Sequence, residues 1–271
     1  MTRRRPPAVS GAFYPGDRAA LAALVDVLLA DAASDAASDA AGDAAPKALV
    51  VPHAGYRYSG PIAATAYARL GGGEAIQRVV VLGPAHTMPL EGLAVSAADA
   101  WDTPLGSVPI DDELRARVVE LGEVVVDDGP HAREHSIEVQ IPFLQRALGR
   151  DFTLLPVVVG RTSPDTTAAL LSSVWGGRET LIVVSSDLSH YESHEKACEL
   201  DRATADAIVA LDATSIGSLD ACGAHPLRGL IAAARDHGLF PALLDLRTSA
   251  DTAGDRSRVV GYGAFELTSV A

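Results

Sequence analysis

Three histidines in this 271-residue chain share a placement that suits metal binding and proton transfer. His53 follows the apolar run Ala48 to Val51, in Pro52-His53-Ala54-Gly55-Tyr56. His86 follows Arg78 to Leu82, in Gly83-Pro84-Ala85-His86, and His190 follows Thr180 to Val184, in Ser185-Ser186-Asp187-Leu188-Ser189-His190-Tyr191. Imidazole is the commonest metal ligand and the side chain whose protonation changes near neutral pH. One histidine after a strand is ordinarily a hydrogen-bonded loop residue. Three with the same placement point to one crevice, because open α/β sheets bind ligands outside the carboxyl ends of their strands.

Two further segments carry usable chemistry. Glu134-His135-Ser136-Ile137-Glu138 opens a helical pattern, with Ser136 as a candidate N-cap. A neutral imidazole is favoured near a helix N-terminus, so His135 is a candidate base or hydrogen-bond donor; alternatively, Glu134, His135 and Glu138 only cap the helix. In Ala221-Cys222-Gly223-Ala224-His225-Pro226, glycine and proline mark a turn in which Cys222 offers either a metal thiolate or a small buried apolar group. Cys198 lies inside a helical pattern and reads as packing, His194 and His237 read as surface residues, and His131 is left open. There is no phosphate-binding glycine loop with Lys-Ser/Thr, no His-Glu-x-x-His helix and no Gly-x-Ser-x-Gly elbow. Ser185 or Ser186 with His190 ranks low as a nucleophile pair, since no oxyanion hole is evident.

The elements that must position these residues follow from the hydrophobic pattern. Besides the three runs above, Leu154 to Val159 and Arg258 to Phe265 read as buried strands. Helical patterns cover Arg18 to Ala30, with Leu21, Leu24, Val25 and Leu28 inward, and then 61–70, 111–121, 137–148, 164–174, 195–211 and 226–236. This alternation predicts a single-domain α/β sandwich over 1–271 around a mostly parallel or mixed sheet. The Asp/Ala-rich stretch at 31–46 reads as a low-complexity surface segment without a chemical role.

Composition narrows the partners. A net charge of −13 opposes nucleic-acid binding, which needs a basic surface to displace counterions from phosphates. No apolar run reaches the roughly 18 to 20 residues that span a bilayer, and residues 2–7 lack the apolar core of a signal peptide. Two cysteines are too few for a disulfide framework, which favours a reducing, cytoplasmic setting.

Taken in order, Ser10 to Pro15, Pro52 to Gly60, Gly83 to His86, Glu134 to Leu144, Ser185 to Tyr191, Cys222 to Pro226 and Gly261 to Gly263 closely resemble the MEMO family, protein B of the AmmeMemoRadiSam system. That family is similar in fold to the class III extradiol dioxygenases. The resemblance implies His53, His86 and Cys222 as ligands of iron or copper, with zinc as a further option, and His190 in the place of the dioxygenases' catalytic base. Asp187 would orient one of these histidines, and Tyr56, Arg57 and Tyr58 would line the pocket for a small molecule. A thiolate where the dioxygenases have a carboxylate is a softer ligand, so ring cleavage does not carry over. The leading expectation is a metal-dependent redox protein or oxidoreductase. Other family roles imply an adaptor that recognises a phosphotyrosine peptide, with Arg57 and Arg133 nearby, or a component working with radical SAM and AMMECR1-like partners.

Overall fold

Runs of valine, leucine and isoleucine that cannot be left in water become the centre of one sheet. The computed structural model describes residues 3–36, 45–71, 75–149, 151–252 and 254–269. Its strands are β1 (Arg4–Arg5), β2 (Ala48–Val51), β3 (Arg78–Pro84), β4 (Leu93–Val95), β5 (Ala100–Thr103), β6 (Gly106–Pro109), β7 (Val124–Val126), β8 (Thr153–Val159), β9 (Thr180–Ser185), β10 (His190–Glu192), β11 (Leu239–Thr248) and β12 (Val259–Ser269). The α-helices are α1 (Arg18–Ala36), α2 (Tyr56–Tyr67), α3 (Asp112–Val119), α4 (Ile141–Leu148), α5 (Pro164–Ser173), α6 (His194–Val209), α7 (Ala224–Asp236) and α8 (Ser249–Thr252).

Four strands, in the order β2-β9-β3-β8, run parallel. Antiparallel β12 and β4 flank them, β7 extends the β4 side, and β10 and β11 pair with β12. Successive side chains of a strand point to opposite faces, and both faces are covered. Leu49, Val51, Val79, Val81, Leu181 and Val183 pack with α1, α2 and α4, while Ala48, Val50, Val80, Leu82, Ile182 and Val184 pack with α3, α5, α6 and α7. The mixed α/β sandwich is therefore the observed fold. Since β2, β3 and β9 are parallel and in register, their carboxyl ends lie along one edge of the sheet.

Several local expectations shift. The helix over 137–148 splits into a 3-10 turn, Glu138–Gln140, and α4, and Ser136 donates to Pro84 O instead of capping. Helix α2 begins at Tyr56, ahead of Pro61, which lies in its second turn and forgoes the bond an N–H there would make to Arg57 O. In the Asp/Ala-rich stretch, α1 continues to Ala36, and residues 37–44 lie outside the described residues. Among the described residues, no helix is long and apolar enough to cross a membrane.

Candidate metal centre

The ends of β2 and β3 bring His53 and His86 together, and the loop before α4 adds His135. One ring nitrogen from each of the three lies within 4.8 Å of the others. The rings of His86 and His135 stack with centroids 4.7 Å apart, and His53 meets both edge-on, at 5.1 and 5.4 Å. Close approach of the 134–136 loop to β3 depends on Gly83: a Cβ there would stand 2.4 Å from Ser136 Oγ. A side chain at that position would push against Ser136 and Ile137, the residues that follow His135.

Hydrogen-bond accounting fixes which nitrogen of His53 is free. Pro52 O can only accept, so the amide nitrogen of Gln140 faces it, at 3.0 Å, and its second N–H goes to Ser185 Oγ at 2.8 Å. Gln140 Oε1 accepts from Tyr67 OH, and the single Ser185 proton goes to Ser136 O at 2.6 Å. What remains on Ser185 Oγ is a lone pair, so His53 Nδ1, 2.8 Å away, is the donor. Its Nε2 therefore carries the lone pair. His53 is buried, and burial, reinforced by His86 and His135, holds its pKa well below the usual imidazole range.

Glu134 does the same for His86 and lies beside the ring of His135. Oε1 lies 2.9 Å from His86 Nδ1 and 3.3 Å from His135 Nδ1, and accepts the backbone N–H groups of His135 and Ser136; Oε2 accepts that of His86. Burial alone would raise the Glu134 pKa. The hydrogen bonds and charge of His86 outweigh it, so the carboxyl stays ionised well below the usual range. A carboxylate on the far nitrogen of an imidazole is the arrangement that orients metal-binding histidines and raises their basicity. Burial also lowers the pKa of His135, against the pull of Glu134.

Cys222 stands beside this cluster. Its Sγ is 3.2 Å from His53 Nε2 and accepts the Asp187 N–H at 3.3 Å. Burial, then the Asp187 charge, pushes the thiol pKa up. Asp187 Oδ1 accepts the His53 N–H at 2.7 Å, and burial raises this carboxyl to about 6 against that bond. His190 is half-buried and outside the three-histidine group, with Nδ1 donating to Leu188 O and Nε2 left free.

The tyrosines that follow His53 differ from one another. Tyr56 is buried against Tyr14 and Phe143, with its hydroxyl on Val139 O, whereas Arg57 and Tyr58 are exposed and the guanidinium lies over the Tyr58 ring. Phe13, from the N-terminal segment, packs on His135 with centroids 4.7 Å apart. Ser186 Oγ donates to Asp187 O in its own loop and accepts the Gly223 N–H of the Cys222 turn. His131 is buried and donates through Nε2 to Ala94 O; His194 and His237 are held by Thr248 and a stack on Trp175; Cys198 is exposed, not packed.

Comparison with known proteins bears on this arrangement as a whole. A family model described as Memo-like protein matches residues 5–266. The chain belongs to the Memo-like family. A MEMO1 family protein of Sulfolobus acidocaldarius is 37% identical over 275 residues, 95% of this chain and 97% of the relative. One from Aquifex aeolicus is 37% identical over 270 residues, 96% and 97% of the two chains, and one from Methanothermobacter thermautotrophicus 38% over 276, 97% and 99%. The Memo-like match takes in every loop that builds the cluster, from His53 to Cys222.

Glu134, Ser185 and Gln140 are the members of this network that sequence reasoning did not place. The signal present was the adjacency Glu134-His135, which reads equally well as helix capping. Ser185 and Gln140 carry no local signature, because their partners lie 45 to 132 residues away.

Proposed function

We propose that His53, His86 and His135 hold a single redox-active metal ion, iron or copper in preference to zinc, with Cys222 as an adjacent sulfur donor. The observation that carries this reading is the convergence of three imidazole nitrogens, backed on their far sides by Ser185 and Glu134. Imidazole suits iron, copper and zinc, and a neighbouring thiol biases the set away from magnesium and calcium. Bound iron or copper supplies a one-electron couple and a Lewis-acidic position for a small molecule.

The chain's own groups have separable tasks in this oxidoreductase reading. Ser185 and Glu134 fix the tautomers of His53 and His86, so that lone pairs rather than N–H groups of these two rings face the centre. Asp187 ties the His53 backbone to the loop that carries His190, and His190 Nε2 is free to take or give a proton at a bound molecule. Metal analysis of protein purified without a nickel column tests the proposal. About one iron or copper per chain is expected, lost in His53→Ala and in His135→Ala; equal metal in wild type and variants would overturn it.

The adaptor reading has one supporting observation, the exposed Arg57 beside Tyr58 at the start of α2. It requires phosphotyrosine-peptide affinity that falls in Arg57→Ala. Affinity that is absent removes this reading and leaves the metal reading intact.

A further inference from the structure

Beside Cys222, at the carboxyl ends of β3 and β8, a cavity of about 220 Å³ opens between the loops that follow those strands and the turn that starts α7. Its walls are mainly aliphatic, from Pro84, Pro89, Leu90, Val159 and Pro226, with Cys222 and His225 as the groups able to bond a ligand inside, and with Glu91 and Arg161 paired at the surface. Ligand pockets are typically of this kind, apolar with a few placed polar groups. An apolar cavity of ~150 Å³ already admits a benzene ring.

The walls are held in place without a ligand. Gly160 lets the 90–92 segment lie directly on the end of β8, where a Cβ would stand 2.0 Å from Leu90 O, and Arg161 N to Leu90 O and Gly92 N to Arg161 O lock the contact. His225 is also fixed: its Nδ1 donates to Thr162 O at 2.9 Å. In the neutral ring this leaves Nε2 as an acceptor with no protein partner.

We infer that this cavity is a binding site for a small, largely apolar ring compound bearing one hydrogen-bond donor, recognised by His225 and held against the Cys222 side of the histidine cluster. The inference deepens the metal-centre reading and rests on it for what the bound compound would meet; the pocket itself is testable without metal. An N–H or O–H donor satisfies His225 Nε2, whereas a ligand of the same shape without that donor leaves the nitrogen desolvated and unpaired.

Indole and 1-methylindole form a probe pair that differs in the donor and in one methyl group, and His225→Phe separates the two effects. They are titrated into the full chain stripped of metal and followed by the NMR signals of the Leu90 and Val159 methyl groups. Indole is expected to shift both sets and to bind at least about tenfold more tightly than 1-methylindole. His225→Phe removes that preference, and saturating indole slows alkylation of Cys222 about tenfold without protecting exposed Cys198. Absence of shifts at Leu90 and Val159, equal affinity for the two probes in wild type, or a preference unchanged in His225→Phe would overturn the inference. Because these measurements use metal-free protein, they stand or fall apart from the metal analysis, which alone decides the neighbouring centre.

Discussion

The most consequential single side chain in this molecule is not one that would touch a metal. Glu134 holds two imidazole rings and three backbone N–H groups with its two oxygens. Replacing such an orienting carboxylate typically costs 10–100-fold in metal affinity. Glu134→Gln is therefore expected to weaken metal binding by about that factor, measured by competition with a chelator, while the fold remains intact by circular dichroism. The two thiols separate in the same way. Cys198 is exposed and Cys222 is half-buried with a raised pKa, so a thiol reagent should modify Cys198 first, and bound metal should protect only Cys222. Peptide mapping after brief labelling checks both statements. His53 and His86 were legible in the sequence because each sits just past an apolar run. The roles of Glu134, Ser185 and Gln140 were not, since a hydrogen bond across 45 or more residues leaves no periodic trace.

Elements carry a second tier of organisation, in which short polar strands anchor the loop that presents His135. Arg5, in β1, donates to Glu138, His131 O and Glu134 O, and Glu138 in turn accepts from Ala8 N, Val9 N and Tyr14 OH. Both partners of this ion pair are buried. Removing one member of a buried pair leaves an uncompensated charge and costs about 3–5 kcal/mol. Glu138→Ala is expected to lose stability of that size in urea denaturation, and to loosen the segment that places Phe13 over His135, read as faster amide exchange at residues 8–14. Strands β2, β3, β8 and β9 were visible as apolar runs. The small sheet β1-β5-β6 was not, because Arg4-Arg5 and Trp101-Asp102-Thr103 have neither an apolar run nor strict alternation. Strand β11 escaped for a related reason: Pro241, Asp245 and Arg247 interrupt its pattern, a composition tolerated at an edge paired on one side only.

At the scale of the whole molecule, buried neutral histidines make the fold acid-sensitive. Burial lowers His131 to about 4, with Arg5 adding to the effect. An unfolded chain takes up this proton below about pH 6.5, and the folded chain only below about pH 4. The unfolded state then binds more protons in that window, so stability falls as pH falls from 6.5 to 4, by up to about 3 kcal/mol for this residue. Chemical denaturation at pH 7 and pH 4.5 should show the loss, and His131→Gln should reduce it. His53 and His135, whose pKa values burial also lowers, act in the same direction.

The donors of the cluster come from positions 53, 86 and 135, and the groups that orient them extend to Ser185. No contiguous stretch of chain contains the set, so an unfolded or half-assembled chain offers an ion only scattered imidazoles. A metal that binds the native state alone would add about 2.7 kcal/mol of stability when free at 100 times its Kd. Because parallel strands must first meet over long sequence separations, ion capture would come at the end of folding rather than nucleate it. Metal uptake by this chain would then count the molecules that have finished folding.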